Sequence, residues 1–400
     1  MKKLPPVLML VLSMAFVPLL AQAPDDARAV AKGSNVFALR AFSELAKGEG
    51  NLFFSPYSIS SALAMTYAGA RGRTAAQMAE VLAFSLPPDR LNPALSGLMA
   101  GLAAKGKPYE LHVANALWGQ TRYPFAPAFL QTIKTHFGGG FREVDFIDEA
   151  NREQARRTIN AWTEEQTANK IKDLIAQGVL SNLSRLVLTN AIYFKGQWAL
   201  QFKASATQSM PFTVSGTQKV SVPMMRQTGR FGYAQDGGVQ ILDLPYAGGD
   251  LSMIVLLPAA SSSVEKLREA LPRQLDGWLA AISPEQVNVY LPRFKLEQKF
   301  LLNEPLIALG MADAFSDTAA DFSGMRADGG KDLYISKVIH KAFVDVNEAG
   351  TEAAAATAVV MGTKSAQITS VFKADRPFLF LMRDVRKGTI LFMGRLSDPR

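Results

Sequence analysis

Apolar and polar residues recur along the chain with two different periods, and the change from one to the other divides it. In the first part the period is helical. Val36, Leu39, Phe42 and Leu45 return at three-residue spacing, which predicts an amphipathic helix over 26–45. Residues 58–68 read as a second apolar helix of smaller side chains. Thr74, with Gln77 three residues on, has the form of a capping box opening a helix that reaches Leu82. Residues 149–176 read as one long helix, with Ile159 and Trp162 on one face and Gly178 past its end. One strand interrupts this part, 110–118, whose alternation carries Leu111, Val113 and Leu117.

From Leu186 onward the period is that of strands. Residues 186–198 form a long β-rich run, and 240–244, 251–257 and 287–294 are short strands punctuated by Gly and Pro. At the C-terminus two nearly continuous apolar runs, 378–382 and 389–393, flank charged residues 383–387 and Gly388. That pattern predicts a buried hairpin. Helices early and strands late predict an α+β fold with packed sheets rather than alternating βαβ units.

Composition changes this picture at three points. The chain has 400 residues, 48% hydrophobic and 20% charged, with no Pro/Gly/Ser-rich linker to divide it, so one large domain over 24–400 is expected. Cysteine is absent, which excludes disulfides, thiolate metal sites and a cysteine nucleophile; stability must come from the core. At the start, Lys2 and Lys3 precede an apolar run over 4–20, then Ala21-Gln22-Ala23, the form of an export signal with cleavage after Ala23 or Ala21. A signal peptide over 1–23 implies a secreted or periplasmic protein, with no membrane contact once it is removed. The formal net charge of +8 falls to +6 without Lys2 and Lys3, and the basic residues are scattered. Arg152, Arg156 and Arg157 come nearest to a cluster and read as a solvated helix face, so a polyanion partner has little support and nucleic acid none.

Catalytic constellations do not assemble. The three histidines, His112, His136 and His340, lie in no metal-binding helix motif, and there is no nucleophile elbow and no dinucleotide fingerprint. Residues 101–107 fit the spacing of a phosphate-binding loop, but Pro108 stands where a magnesium-holding hydroxyl belongs and blocks the helix that should face the phosphate. No enzyme activity, cofactor or metal is expected.

The informative stretch is 343–378. A strand, 343–346, leads into 347–352 (NEAGTE), an alanine run and a polar loop. Propensity alone makes the alanine run a helix. Taken as a strand, one face presents Thr351, Ala353, Ala355, Thr357, Val359 and Met361, starting small and growing more apolar, and small side chains meet least resistance when a strand is pushed between two others. No proline lies between Pro305 and Pro377, so every residue of it can donate to a ladder. Gly350, lacking a Cβ, can serve as the hinge.

Residues 347–357 (NEAGTEAAAAT) resemble the reactive-loop hinge of the serpins, a family of serine protease inhibitors. Three other segments resemble that family's motifs in the same order: 51–59 (NLFFSPYSI), 188–198 (LTNAIYFKGQW) and 372–380 (FKADRPFLF). The resemblance covers about residues 35–399. It implies a serpin fold of three β-sheets and eight or nine helices with an exposed reactive loop, about 348–371, and a monomer. Its hinge would comprise Glu348, Gly350, Thr351, Glu352, Ala353, Ala354, Ala355, Ala356 and Thr357.

Counting from Glu348, the resemblance places the scissile bond at Lys364–Ser365, within a residue or two. Lys364 would enter the specificity pocket of a trypsin-like serine protease, the implied partner; Met361 is the alternative and would point to a chymotrypsin-like or elastase-like target. It further implies that Ser55, Ser58, Asn190 and His340 lie under the centre of the main sheet, and that Trp198, Arg293 and Glu348 lie at its top, the two groups controlling sheet opening. Ordinary satisfaction of core polar groups would serve the same residues. A serpin-fold carrier or folding helper that no longer inhibits is the rival; the small hinge residues favour inhibition.

Overall fold

The computed structural model describes residues 23–104, 106–351 and 369–400. Its elements run in the order α1 (Ala23–Leu45), β1 (Leu52–Phe54), α2 (Pro56–Tyr67), α3 (Gly72–Val81), α4 (Pro88–Leu102), β2 (Tyr109–Gln120), α5 (Pro127–His136), β3 (Phe141–Val144), α6 (Glu149–Gln166) and β4 (Leu186–Gln197). Then come β5 (Gln208–Ser215), β6 (Gln218–Asp236), β7 (Val239–Pro245), β8 (Leu251–Pro258), α7 (Val264–Ala280), β9 (Ser283–Pro292), β10 (Phe294–Leu301), α8 (Asn303–Ala308), β11 (Lys337–Val346), β12 (Gly350–Thr351), β13 (Ser370–Lys373), β14 (Phe378–Asp384) and β15 (Ile390–Leu396). The expected α+β division holds, with helices concentrated before β4 and strands after it.

The strands form two hydrogen-bonded ladders. A six-stranded sheet has the order β10-β11-β12-β4-β2-β3, with β11 also pairing β4 directly. A nine-stranded ladder runs β1-β15-β14-β8-β7-β6-β9-β13, with β5 on β6. The long β6 accounts for the two ladders where three sheets were expected. Its first part pairs with β5 and β9 and its end with β7, so it passes from one sheet into the next without a break.

The main apolar core lies between the ladders and under α1 and α2. The C-terminal runs form the predicted antiparallel hairpin, β14 with β15, and their rings stack against β1: Phe53 lies 5.9 Å from Phe380 and 5.3 Å from Phe392, nearly parallel to both. Gly394 is required there, because a Cβ would meet the Phe380 ring at 2.4 Å. The α2 helix is buried from Pro56 to Thr66. Small residues let it sit centrally, and two of its hydroxyls are satisfied within the helix: Ser61 Oγ donates to Tyr57 O at 2.8 Å and Thr66 Oγ1 to Leu63 O at 2.7 Å.

Two sequence expectations fail, both because tertiary contacts override a local pattern. Thr74 and Gln77 form no capping box. The helix starts at Gly72, and both side chains reach instead to a distant segment, Thr74 Oγ1 accepting from Asp321 N at 2.9 Å and Gln77 Oε1 from Asp313 N at 2.9 Å. The long helix over 149–176 stops at Gln166, where Ala168 and Asn169 take left-handed φ of 50° and 60°. The chain turns back, and the Asn160 amide clamps Ile175 at both N (2.8 Å) and O (2.9 Å). Ile171, Leu174 and Ile175 are thereby buried on the six-stranded sheet, which an extended helix could not achieve.

Candidate functional site

The residues expected to control the main sheet converge on the seam between β4 and β11. These strands pair in parallel from Lys337 opposite Val187 to Phe343 opposite Tyr193, with His340 opposite Asn190. Both side chains point inward onto the start of α2. Ser55 caps that helix, its hydroxyl accepting from Ser58 N at 3.1 Å and donating to Leu391 O at 2.6 Å. Ser55 N donates to His340 Nε2 at 3.1 Å. That leaves the proton on Nδ1, which donates to Asn190 Oδ1. The Asn190 amide then donates to Ser58 Oγ at 2.5 Å and to Asn115 Oδ1, and Ser58 Oγ donates to Asn115 Oδ1 at 3.2 Å. Ser55, Ser58, Asn190 and His340 are all fully buried. Burial pushes the His340 pKa down to about 3, the Asn190 contact opposing it, so the imidazole is neutral.

Above Phe343 the two strands part, and the chain re-enters between them. After β11 it turns through residues 347–349, tied by Asn347 N to Gly350 O at 2.8 Å and Ala349 N to Asn347 Oδ1 at 3.1 Å. The two residues of β12 then fill the gap: Thr351 pairs with Val346 of β11 and with Gly196 of β4, and Gly350 with Gln197. Glycine is obligatory at 350. Its φ is +154° and a Cβ would lie 2.0 Å from Gly196 O.

Trp198, Arg293 and Glu348 surround this entry point. Trp198 Nε1 donates to Asn347 O at 3.0 Å, and Phe202 N to Glu348 O at 2.9 Å. Glu348 Oε1 accepts from Arg293 at 2.5 Å and Thr207 Oγ1 at 2.6 Å. Burial raises the Glu348 pKa, but these hydrogen bonds outweigh it and hold the carboxyl below the usual glutamate range. Trp198 stacks on Tyr246 at 4.6 Å, and the Tyr246 hydroxyl bonds Thr351 Oγ1 at 2.8 Å.

The structure therefore brings together the lower group (Ser55, Ser58, Asn190, His340) and the upper group (Trp198, Arg293, Glu348, Gly350, Thr351). Glu352, Ala353, Ala354, Ala355, Ala356, Thr357, Met361, Lys364 and Ser365 lie outside the described residues, as do residues 1–22 with the expected export signal. Three contributors went unread in the sequence. Asn115 left a signal, since it falls on the apolar face of β2 with Leu111, Val113 and Leu117, where a polar residue must find a buried partner. Thr207 and Tyr246 left none; both act on residues more than a hundred positions away.

The serpin family's sequence model, described as serine protease inhibitor, matches residues 32–399. The leukocyte elastase inhibitor of Bos taurus is 45% identical over 359 residues, spanning 88% of this chain and 93% of that one. The Homo sapiens protein of the same name is 42% identical over 374 residues, 91% and 97% of the two chains. Among solved structures, uncleaved ovalbumin superposes with a TM-score of 0.83 at 32% identity, covering 93% of this chain and all of its own. Human thyroxine-binding globulin with its hormone gives 0.84 at 29% identity, covering 94% and 99%.

Proposed function

This chain belongs to the serpin family, whose role is inhibition of serine proteases rather than catalysis, and we propose that it acts as a suicide substrate cut at Lys364–Ser365 by a trypsin-like enzyme. The protease serine attacks the Lys364 carbonyl, Ser365 departs as a new amino terminus, and an ester joins enzyme to inhibitor. The freed loop then zips into the main sheet as a strand between β4 and β11. About 14 residues at about 3.3 Å each would carry the protease some 45 Å and deform its active site before water completes the cycle. The native state is thus a kinetically held one.

The observation that most supports this reading is β12. It already occupies the top of the gap between β4 and β11, antiparallel to both, so continuing the chain in the same direction drives it down the seam. Below it, the seam is closed by the exchangeable hydrogen bonds of His340 and Asn190. Residues 1–23 support export of the protein to the periplasm or beyond the cell.

The relatives' name favours a second target. With Met361 as the residue before the cut, an elastase-like or chymotrypsin-like protease would be trapped instead. One experiment separates the two. The mature protein is mixed with trypsin or with leukocyte elastase and run on a denaturing gel, and the released C-terminal peptide is weighed. A band at the summed mass with a peptide starting at Ser365 supports trapping at Lys364; a peptide starting at Gly362 moves the bond to Met361. Cleavage with no such band and no gain in thermal stability would leave a substrate, not an inhibitor.

A further inference from the structure

The loop returns to the body at Ser370, where β13 begins, and the sheet face beside that anchor has features that loop insertion does not use. β13 runs alongside β9, and β9 pairs with β6. On their outward face the register sets Arg226 beside Tyr290, Thr228 beside Asn288 and Arg230 beside Gln286; Val371 follows beside Asn288 and Lys373 beside Tyr290. The Arg226 guanidinium lies 5.3 Å from the Tyr290 ring centroid, and its Nε donates to Asn288 Oδ1 at 3.3 Å. Asn288 is steadied in turn by Thr228 Oγ1 at 3.2 Å and by Tyr290 OH at 3.3 Å.

No carboxylate among the described residues pairs with Arg226 or Arg230. Asp375, at the end of β13, is engaged by Lys373 at 3.3 Å and Arg376 at 2.8 Å. Glu285 belongs to the other face of β9 and accepts from Ser370 Oγ at 3.0 Å. Exposed arginines are common and keep proteins soluble. Here, though, Arg226 is fixed by side-chain contacts, Arg230 shares its face, a tyrosine is presented between them and β13, and Val371 is 52% exposed. Arginine and tyrosine are the residues enriched where proteins dock.

The place matters as much as the composition. From Lys364 to Ser370 the chain reaches roughly 20 Å when fully extended. A protease domain of about 230 residues has a radius of gyration near 17 Å. A body that size, held on so short a tether, lies against the surface around the tether's anchor.

We propose that Arg226, Arg230 and Tyr290, with Val371 and Lys373, form a second docking surface for the target protease, and that the target carries an acidic patch beside the part of its cleft that holds the residues after the scissile bond. The identity of the occupant rests on the reading given above; the surface acts on the encounter and so on the speed of capture.

The probes are an anionic and a cationic trypsin, which share a preference for Lys and Arg, each also in a form with its catalytic serine changed to alanine. The dissociation constant of the encounter complex is measured with the inactive forms, for the mature protein and for the Arg226→Gln/Arg230→Gln double variant. The variant is expected to bind anionic trypsin about five- to tenfold more weakly at ~50 mM salt and cationic trypsin within about twofold, with the difference shrinking at ~0.5 M salt. Equal losses on both enzymes, no loss, or no encounter complex with anionic trypsin would overturn the docking surface. With the active enzymes, the covalent band reports trapping separately. Its absence from both proteins, with the encounter difference intact, would overturn the trapping of trypsin-like enzymes at Lys364–Ser365 and leave the docking surface standing.

Discussion

The pairing of β14 with β15 and the pairing of β4 with β11 are both buried, yet rings hold the first and hydrogen bonds the second. Around the hairpin, Phe53, Phe378, Phe380 and Phe392 lie against one another, and the Phe294 ring of β10 sits 5.3 Å from that of Phe380. No partner can replace these contacts without opening a cavity. At the seam, Asn190, His340, Ser55, Ser58 and Asn115 form a network, and the link that crosses from β11 to β4, His340 to Asn190, joins a donor and an acceptor that another strand could satisfy. A buried network costs much to leave half made and little to exchange for an equivalent one. The first contact is therefore built to persist and the second to be traded.

The sharpest test sets the two against each other in the intact protein and in the form with its loop cut. Phe380→Ala removes a side chain that is 1% exposed. It should cost about 3–5 kcal/mol, read as a lower urea midpoint, in both forms alike. Asn190→Ala should cost about 2–3 kcal/mol in the intact form and clearly less in the cut form. In the intact form it leaves the His340 Nδ1 proton without an acceptor and removes two donations to α2 and β2; in the proposed inserted form β4 and β11 are no longer neighbours, and only the two donations are lost. Equal losses from Asn190→Ala in both forms would show that the network is ordinary core and not a latch.

The persistent region was the more legible of the two. The hairpin and most strands follow from apolar runs and alternation, because burial on one or both faces of a sheet leaves a periodic trace. Helix ends were less legible. The stop at Gln166 depends on Asn160 capturing Ile175, a contact that no local pattern announces. At the seam, Gly350 was readable as a hinge because it lacks a Cβ; its close approach to Gly196 O needed the fold. His340 and Asn190 were found by family resemblance. The role of Tyr246 needed the three-dimensional fold, since its ring and hydroxyl serve Trp198 and Thr351 and not its own neighbours.

The smallest expected effect lies at the top of the seam, where the traded contact is partly in water. Arg293 is 47% exposed on its side chain and Glu348 only 13%. An ion pair with one partner so exposed contributes less than about 1 kcal/mol, so Glu348→Gln should lower the melting temperature only slightly at neutral pH. Its sign with pH is the stronger test. The Glu348 carboxyl ionises below its ordinary value of 4.5 in the folded protein, so the unfolded chain takes up the proton first as pH falls. The stabilisation is therefore complete above that ordinary value and is lost as pH drops through the folded one. The gap in melting temperature between wild type and Glu348→Gln should be constant from pH 7 to pH 5 and close below 4.5. His340 also loses its neutral state in strong acid, but it is present in both proteins and cancels in the difference. A gap that stays open at pH 3 would mean that the difference does not come from the ionised carboxylate, and that the top of the seam is no more exchangeable than the hairpin.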